Sequence, residues 1–164
     1  MDHVLGQVQL SQKDPDGAAR LITDAQAAGR GAQDRITILA SLYHLALASQ
    51  AQGDLAEAAG HLKEGLALAA EAGDDTSAAY YLEGLAAVAS QQDDRQRAVR
   101  LLTAARSQLE TSGSGWLHAY IPRVPHDDAV LAALRSGMGD AAFKKAQAWG
   151  HSAGSTRAVE YALE

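Results

Sequence analysis

The sequence predicts an all-α protein built from antiparallel pairs of helices, and three observations support this prediction. Apolar residues make up 47% of the 164 residues but aromatic residues only 5%, because alanine supplies much of the apolar total. Alanine has the highest helix propensity and lets helices pack closely. Only three prolines interrupt the chain. Apolar residues also recur at helical spacing between polar joints.

The polar joints belong to an internal repeat. Shifting the sequence by 40 residues aligns "LSQKDPDGAARLI" (10–22), "QAQGDLAEAAGHL" (50–62) and "SQQDDRQRAVRLL" (90–102). The shift superimposes three acidic residues, three small residues and three large aliphatic residues. They are Asp14, Asp54 and Asp94, then Ala18, Ala58 and Ala98, then Ile22, Leu62 and Leu102. A period of this length is typical of proteins that stack helical hairpins.

Each aligned position has a physical role. The three aspartates precede apolar stretches of helical spacing, where a carboxylate can cap the first backbone N–H groups of a helix. Gly73 and Gly113 suit the left-handed residue that follows a helix end. The alanines allow two antiparallel helices to approach closely, and the aliphatic residues fill the space between them.

Local signals in the sequence mark where the successive helices begin. Asp14 and Pro15 separate the first two, since proline is tolerated at the first position of a helix. Asp54 with Glu57 forms a capping box for the fourth, Asp74 and Asp75 mark a turn before the fifth, and Asp94 precedes the sixth. The predicted helices are 2–13, 15–29, 34–52, 55–72, 76–92, 95–111, 126–136, 141–149 and 156–163. We predict a single domain over 1–164, with three repeats in 1–113, a linker at 114–125 and a helical cap at 126–164.

The repeat unit resembles the tetratricopeptide repeat. The shared pattern is a small residue after Leu, a turn that ends in Asp, an Ala twelve residues beyond the small residue and a large apolar residue four further on. The resemblance covers residues 1–113 and implies a right-handed αα-superhelix with a concave binding face. The sequence departs from the family pattern in its period, which is 40 rather than about 34. Leucine also replaces the usual aromatics, at Leu42, Leu62, Leu82 and Leu102.

Residues 80–164 resemble the C-terminal helical region of large bacterial signal-transducing ATPase regulators, which include LuxR-type transcription factors. The stretches "LEGLAA" and "RLLTAA", the "GDAAF" turn and the final short helix carry this resemblance. It implies a sensor or assembly arm, with the ATPase and DNA-binding domains elsewhere in a longer parent chain.

Charge and composition exclude several functions. The net charge of −6 argues against direct nucleic-acid binding, and the absence of cysteine excludes thiolate metal sites and disulfides. No apolar run is long enough to span a membrane, so we expect a cytoplasmic protein.

A basic cluster lies in the second half of the chain and is either a solvated helix face or a docking face for an acidic partner. Its members are Arg95, Arg97, Arg100 and Arg106.

No motif predicts catalysis, a cofactor or a metal. The sequence has no phosphate-binding glycine loop, and "SGSG" (112–115) lacks the order of a nucleophile elbow. No two histidines are spaced i, i+4. The run from His126 to Asp128 can cap a helix or offer metal ligands, and we favour capping because a site needs more ligands than one run supplies. We therefore expect a protein that is not an enzyme.

The best candidate site is the concave face formed by the first helix of each repeat. Projecting the tetratricopeptide groove positions onto this sequence selects His3, Gln7, Tyr43, Leu47, Gln50, Tyr80, Glu83, Ser90 and Gln91. Phenol rings and amides suit a polar ligand or an extended segment. The alternative is that Tyr43 and Tyr80 only cover neighbouring helices, because tyrosine is often half-buried.

A second candidate lies in the linker. Trp116, His118 and Tyr120 are close together in a chain that is poor in aromatics. They either pin the linker to the last repeat or form one wall of a pocket, since long loops often carry function.

These observations predict a non-enzymatic sensing or protein-interaction module of a bacterial transcriptional regulator. Its concave face would bind a protein partner or a small effector. The alternative is a stand-alone scaffold that forms a homodimer or holds a protein partner, through its alanine-rich helix faces or its basic cluster.

Overall fold

The computed structural model describes residues 15–112 and 128–164. These residues form seven α-helices and no strand, which confirms the predicted all-α class. The helices are α1 (Pro15–Ala32), α2 (Arg35–Gln52), α3 (Leu55–Glu71), α4 (Asp75–Gln91), α5 (Arg95–Ser112), α6 (Asp128–Met138) and α7 (Asp140–Leu163). The predicted helix 2–13 and the predicted linker 114–125 lie outside the described residues, as do Asp14 and Gly113.

The predicted helix ends agree with the structure to within three residues from α1 to α6. The prediction of two final helices, 141–149 and 156–163, agrees with the structure, which has two helical segments that meet at a non-helical Gly154. Both belong to α7, which continues from Asp140 to Leu163 with a sharp kink at Gly154, where φ is 67° and ψ is 173°. The kink lies in the gap between the two predicted helices, so the sequence locates the break without showing that the helix resumes at once.

The helices stack in order along the chain. Each of α1 to α4 packs on the helix that follows it, so α2–α3 and α4–α5 form two consecutive tetratricopeptide-like hairpins. Besides α4, α5 packs against α7, which covers the last face of the stack and also reaches α3 and α4. The smaller α6 makes limited contact with α5 and α7. A terminal helix of this kind is expected wherever a stack of repeats would otherwise expose its last apolar face.

One aspartate begins each helix from α2 to α5. Its side chain accepts a hydrogen bond from the backbone N–H three residues on, at 3.3 Å in α2, 2.8 Å in α3, 2.9 Å in α4 and 3.1 Å in α5. The four capping residues are Asp34, Asp54, Asp74 and Asp94. The structure therefore confirms capping by Asp54 and Asp94 and by Asp74 of the predicted turn, and it adds Asp34, so that a cap recurs at half the predicted period.

The residue before each capping aspartate has a positive φ. The values are 55° at Gln33, 83° at Gly53, 67° at Gly73 and 63° at Asp93. At each joint the aspartate N–H donates to the carbonyl five residues back, at 2.8 to 2.9 Å, and the preceding N–H donates to the carbonyl three residues back, at 3.0 to 3.2 Å. This pair of bonds is the Schellman motif, which closes a helix C-terminus. One turn thus ends a helix and caps the next, and it recurs every 20 residues.

The core is continuous through the stack. α2 and α4 are the central helices, and residues 39–46 and 77–86 are buried on every side. The small residues Ala46, Ala58, Ala86 and Ala98 are all buried, as the repeat predicts. At the α3–α4 contact a Cβ added to Gly65 would lie 2.1 Å from the ring of Tyr81, so this contact requires glycine. The Tyr81 hydroxyl donates to the carbonyl of Leu39 at 2.5 Å and ties α4 to α2.

The cap is attached to α5 through arginine and aromatic side chains. The rings of Trp149 and Tyr161 pack together with centroids 4.7 Å apart. The Arg97 guanidinium lies 4.9 Å from the Tyr161 ring, and the Arg100 guanidinium lies 5.3 Å from the Trp149 ring. Arg97 also donates to the carbonyl of Ala162 at 2.8 Å. The two arginines are therefore partly buried against α7 and do not form a simply solvated face, while docking of an acidic partner stays a prediction.

A second apolar cluster anchors the start of the cap. Phe143 and Ala146 of α7 pack with Leu134 of α6 against α4 and α5. Phe143 is 6% exposed and anchors the cap in this cluster. No helix among the described residues combines the length and apolarity needed to cross a bilayer.

Candidate binding groove

A cavity of about 330 Å³ lies where α2, α4, α5 and α6 meet. We call it the groove. Eight of its lining residues are apolar or glycine, namely Leu47, Gly84, Ala86, Ala87, Ala98, Leu102, Val130 and Leu134. Five are polar, namely Tyr43, Gln50, Glu83, Ser90 and Gln91. Apolar walls with a few polar groups are typical of small-molecule sites, which begin at about 300 Å³.

Helical periodicity explains how α2 contributes its wall. Tyr43, Leu47 and Gln50 are spaced four and three residues apart, so they share one face of the helix. The 40-residue shift carries this face onto Glu83, Ala87 and Ser90 of α4. The two helices therefore present equivalent faces to the groove.

The structure brings together most of the residues that the sequence selects. Six of the predicted concave-face residues line the groove: Tyr43, Leu47, Gln50, Glu83, Ser90 and Gln91. The predicted residues His3, Gln7, Trp116, His118 and Tyr120 lie outside the described residues.

Tyr80 requires a correction. Its side chain is fully buried in the core cluster and does not line the groove. The 40-residue shift relates it to Ala40, which is itself buried. Tyr80 therefore lies in the buried register of α4, and the alternative interpretation, that this ring covers neighbouring helices, is the correct one.

Tyr43 joins the groove to the core. It is only 2% exposed, and its ring meets that of Tyr81 edge-on, with centroids 5.8 Å apart and planes at 68°. Burial raises the pKa of Tyr43 well above its usual range, and the nearby Glu83 and Tyr80 raise it further. The Tyr43 phenol is therefore neutral at physiological pH and offers the groove a ring and a hydroxyl.

Glu83 introduces a carboxylate into an apolar surface. Its side chain is 3% exposed, and it carries the only formal charge among the described lining residues. Glu83 interacts with other groups of the protein, and its carboxylate helps to raise the pKa of Tyr43. The groove therefore has negative electrostatic character near α4.

Two amides bridge the groove between its main helices. Gln91 Nε2 of α4 donates to Gln50 Oε1 of α2 at 3.0 Å. This bond leaves the Gln50 amide nitrogen and the Gln91 carbonyl oxygen with further hydrogen-bonding capacity. Both can interact with a polar group on a bound molecule.

The opposite wall belongs to the cap. Val130 and Leu134 of α6 face the groove, and Leu134 also packs in the second apolar cluster. Arg95 of α5 donates to the carbonyl of Gly137 at 2.5 Å and holds the end of α6. The Arg135–Asp140 ion pair joins α6 to α7 at 2.6 Å, which raises the pKa of Arg135 and lowers that of Asp140.

Several lining residues are absent from the sequence-based selection. Ala87 follows from the 40-residue shift of Leu47, so the repeat alone is sufficient to identify it. Ala98, Leu102, Val130 and Leu134 have no such signal, because tertiary packing brings them to the groove from α5 and α6. Among the residues that the structure describes, no three His, Asp or Glu side chains converge as a metal site requires.

Comparison of the chain with protein-family models, curated proteins and solved structures finds no match.

Proposed function

We propose that this chain is a non-enzymatic binding module that holds an effector or partner in the groove on its concave helical face. The observation that supports this proposal is the composition of the groove, whose walls come from both the repeats and the cap. An apolar cavity with converging amides, a phenol and a carboxylate is suited to recognition.

Signalling would arise from this shared wall. A molecule in the groove touches α2 and α4 of the stack on one side and α6 of the cap on the other. If the position of α6 differs between two states, a ligand that contacts α6 stabilises the state in which the contacts are better. The size of the response equals the difference in binding free energy between the two states.

The resemblance of residues 80–164 to bacterial signal-transducing ATPase regulators suggests the cellular role. We propose a cytoplasmic sensing arm of such a transcriptional regulator. The ATPase and DNA-binding domains would lie elsewhere in a longer parent chain, and the cap would transmit the state of the groove to them.

The scaffold alternative has less support. In the version that relies on basic residues, Arg97 and Arg100 would capture an acidic partner, but both already contact α7. In the part of the chain that the structure describes, no element covers the groove as α7 covers these two arginines. Binding at the groove is therefore the better-supported function.

The test is a titration with Nile red, a neutral apolar dye that becomes fluorescent in apolar surroundings. The informative variant is Ala87→Phe, which places a ring on the groove wall from a half-buried position. Ala67→Phe is the matched control, because it adds the same ring to an exposed position of α3 outside the groove.

We expect saturable binding to the unchanged chain and to Ala67→Phe, and at least tenfold weaker binding to Ala87→Phe, or about 1.4 kcal/mol. Circular dichroism would verify that both variants remain helical. Equal dye affinity in all three chains would place the binding elsewhere and would reject the proposal.

A further inference from the structure

We infer that the groove selects a small apolar molecule that carries one ammonium group, with the cation directed toward Glu83. This inference rests on the proposed function and specifies its ligand.

The hydrocarbon part of the ligand follows from the walls. Leucine, valine and alanine side chains from four helices surround most of the cavity. Burial of apolar surface contributes about 25 cal/mol per Å², so the groove favours a compact hydrocarbon body. A cavity of about 330 Å³ fits a small molecule, whereas a stable protein interface covers about 800 Å² on each partner. We therefore assign the groove to a free small molecule.

The charge of the ligand follows from Glu83. The described lining residues include no lysine, arginine or histidine, so a ligand anion would face a buried carboxylate without a compensating cation. An ionised carboxylate accepts about four hydrogen bonds, so Glu83 can keep its present interaction and still accept an ammonium donor. A charge-assisted hydrogen bond is about twice as strong as a neutral one.

The neighbouring polar groups are compatible with a cation. The phenol of Tyr43 stays neutral, and the amides of Gln50 and Gln91 together with the Ser90 hydroxyl add acceptors without adding charge. A cation in the groove therefore encounters one negative group and several dipoles, with no positive charge among the described lining residues.

The test compares three ligands that share one compact hydrocarbon body: adamantanemethylamine, adamantanemethanol and adamantanecarboxylate. Calorimetry would measure their affinities for the unchanged chain, for Glu83→Gln and for Glu71→Gln. Glu71 is the matched control, because it is an exposed carboxylate on α3 outside the groove.

We expect the unchanged chain and Glu71→Gln to bind the amine at least tenfold more tightly than the alcohol, and the carboxylate most weakly. Glu83→Gln should bind amine and alcohol equally. If Glu83→Gln does not fold, Glu83→Asp serves instead, because it keeps the charge but withdraws it by one methylene and should reduce the preference for the amine.

The outcomes separate the two proposals. Equal affinity for amine and alcohol in the unchanged chain, or a preference that survives Glu83→Gln, would overturn this inference and leave groove binding intact. If none of the three ligands binds, the inference is wrong, and the Nile red titration then decides whether the proposed function is also wrong.

Discussion

The repeat stack, α1 to α5, and the cap, α6 and α7, are stabilised in different ways. Four identical turns join the helices of the stack, each with a Schellman motif and a capping aspartate. The joint between α6 and α7 has Gly139 at the capping position and no side-chain hydrogen bond to the helix end. Contacts with α5 hold α7 instead, and these include the Arg97 and Arg100 interactions with Tyr161 and Trp149.

This difference separates a stack that is specified locally from a cap that is held by distant contacts. Local interactions specify the joints of the stack, so its geometry is fixed wherever its helices form. Tertiary contacts hold the cap, and such contacts can open without unfolding the stack. A groove whose wall includes α6 lies where the two regions meet.

The largest losses of stability are expected from substitutions at two buried glycines, one in the stack and one in the cap. A Cβ at Gly65 would lie 2.1 Å from the Tyr81 ring inside the stack, and a Cβ at Gly150 would lie 2.8 Å from the carbonyl oxygen of Arg100 beneath the cap. Overpacking of this kind typically costs about 1 to 3 kcal/mol. We expect Gly65→Ala to lower the free energy of unfolding of the whole chain, by about 3 kcal/mol. Gly150→Ala should instead release the cap.

Hydrogen exchange measures this contrast. Gly150→Ala should lose protection in 128–164 and keep it in α1 to α3, whereas Gly65→Ala should lose protection throughout. Gly60→Ala is the control, because no atom lies within 4 Å of its added Cβ, and it should stabilise α3 by up to about 1 kcal/mol. Identical exchange profiles for Gly65→Ala and Gly150→Ala would remove the distinction between stack and cap.

Alkaline pH should destabilise the stack through its buried tyrosines. Burial is the main cause that raises the pKa of Tyr43 and Tyr81 above the usual value of about 10. Above that pH the unfolded chain loses these protons while the native chain keeps them. Above pH of about 10, the free energy of unfolding should therefore fall by about 1.4 kcal/mol per pH unit for each tyrosine. Below that pH the stability that these tyrosines contribute is fully present and does not change with pH.

Urea unfolding at several pH values measures this slope. Tyr43→Phe and Tyr81→Phe should each remove the contribution of one proton from this slope, and the double variant should remove the contribution of two protons. A slope that does not change in the double variant would mean that neither tyrosine links stability to pH.

Loss of an arginine contact should destabilise the cap by about 2 kcal/mol. Arg100→Glu removes a guanidinium 5.3 Å from the Trp149 ring and 5.4 Å from the Tyr161 ring, and a desolvated cation–π contact contributes up to about 2 kcal/mol. The cap should exchange faster while the stack keeps its protection. Lys145→Glu is the charge-matched control on the exposed side of α7. Equal exchange in both variants would show that charge alone, without the aromatic contact, governs the cap.

The joints predict the smallest effects. Gly73→Ala should destabilise the chain by about 1 kcal/mol, because φ there is 67°. Gln33→Gly should stabilise it by a similar amount, since Gln33 holds a φ of 55°.

Asp54→Ala should cost about 1 kcal/mol by removing its bond to the Glu57 N–H, while Asp54→Asn should preserve the cap. Thermal and urea unfolding would detect these changes, and a loss of dye binding in Asp54→Ala without a loss of stability would contradict a purely structural role.

The sequence alone predicts much of the stack but little of the groove wall that α5 and α6 form. Asp54, Asp94 and Gly73 act through neighbours within five residues, so a local pattern suffices to predict their roles. Tyr43, Gln50 and Glu83 follow from helical spacing and the resemblance to tetratricopeptide repeats. Helical spacing selects Tyr80 as well, three residues before Glu83, but neighbouring helices pack over its ring, and only the fold shows this burial.

The wall formed by α6 and the contacts of α7 depend on long-range packing. Arg97 and Arg100 form a basic cluster in the sequence, and only the fold shows that Trp149 and Tyr161, about fifty to sixty residues away, cover them. Val130 has no periodic counterpart in the repeats. No local rule connects such pairs, so the sequence alone identifies the arginines without their partners.

The central claim is that a molecule in the groove contacts the stack and the cap together. Hydrogen exchange of the unchanged chain, with and without saturating adamantanemethanol, tests this claim most directly. We predict slower exchange in α4 and α6 at the same time, with α3 unchanged, because α3 has no residue in the groove. Bound ligand that leaves the exchange of α6 unchanged, or that protects α3 instead, would contradict the claim.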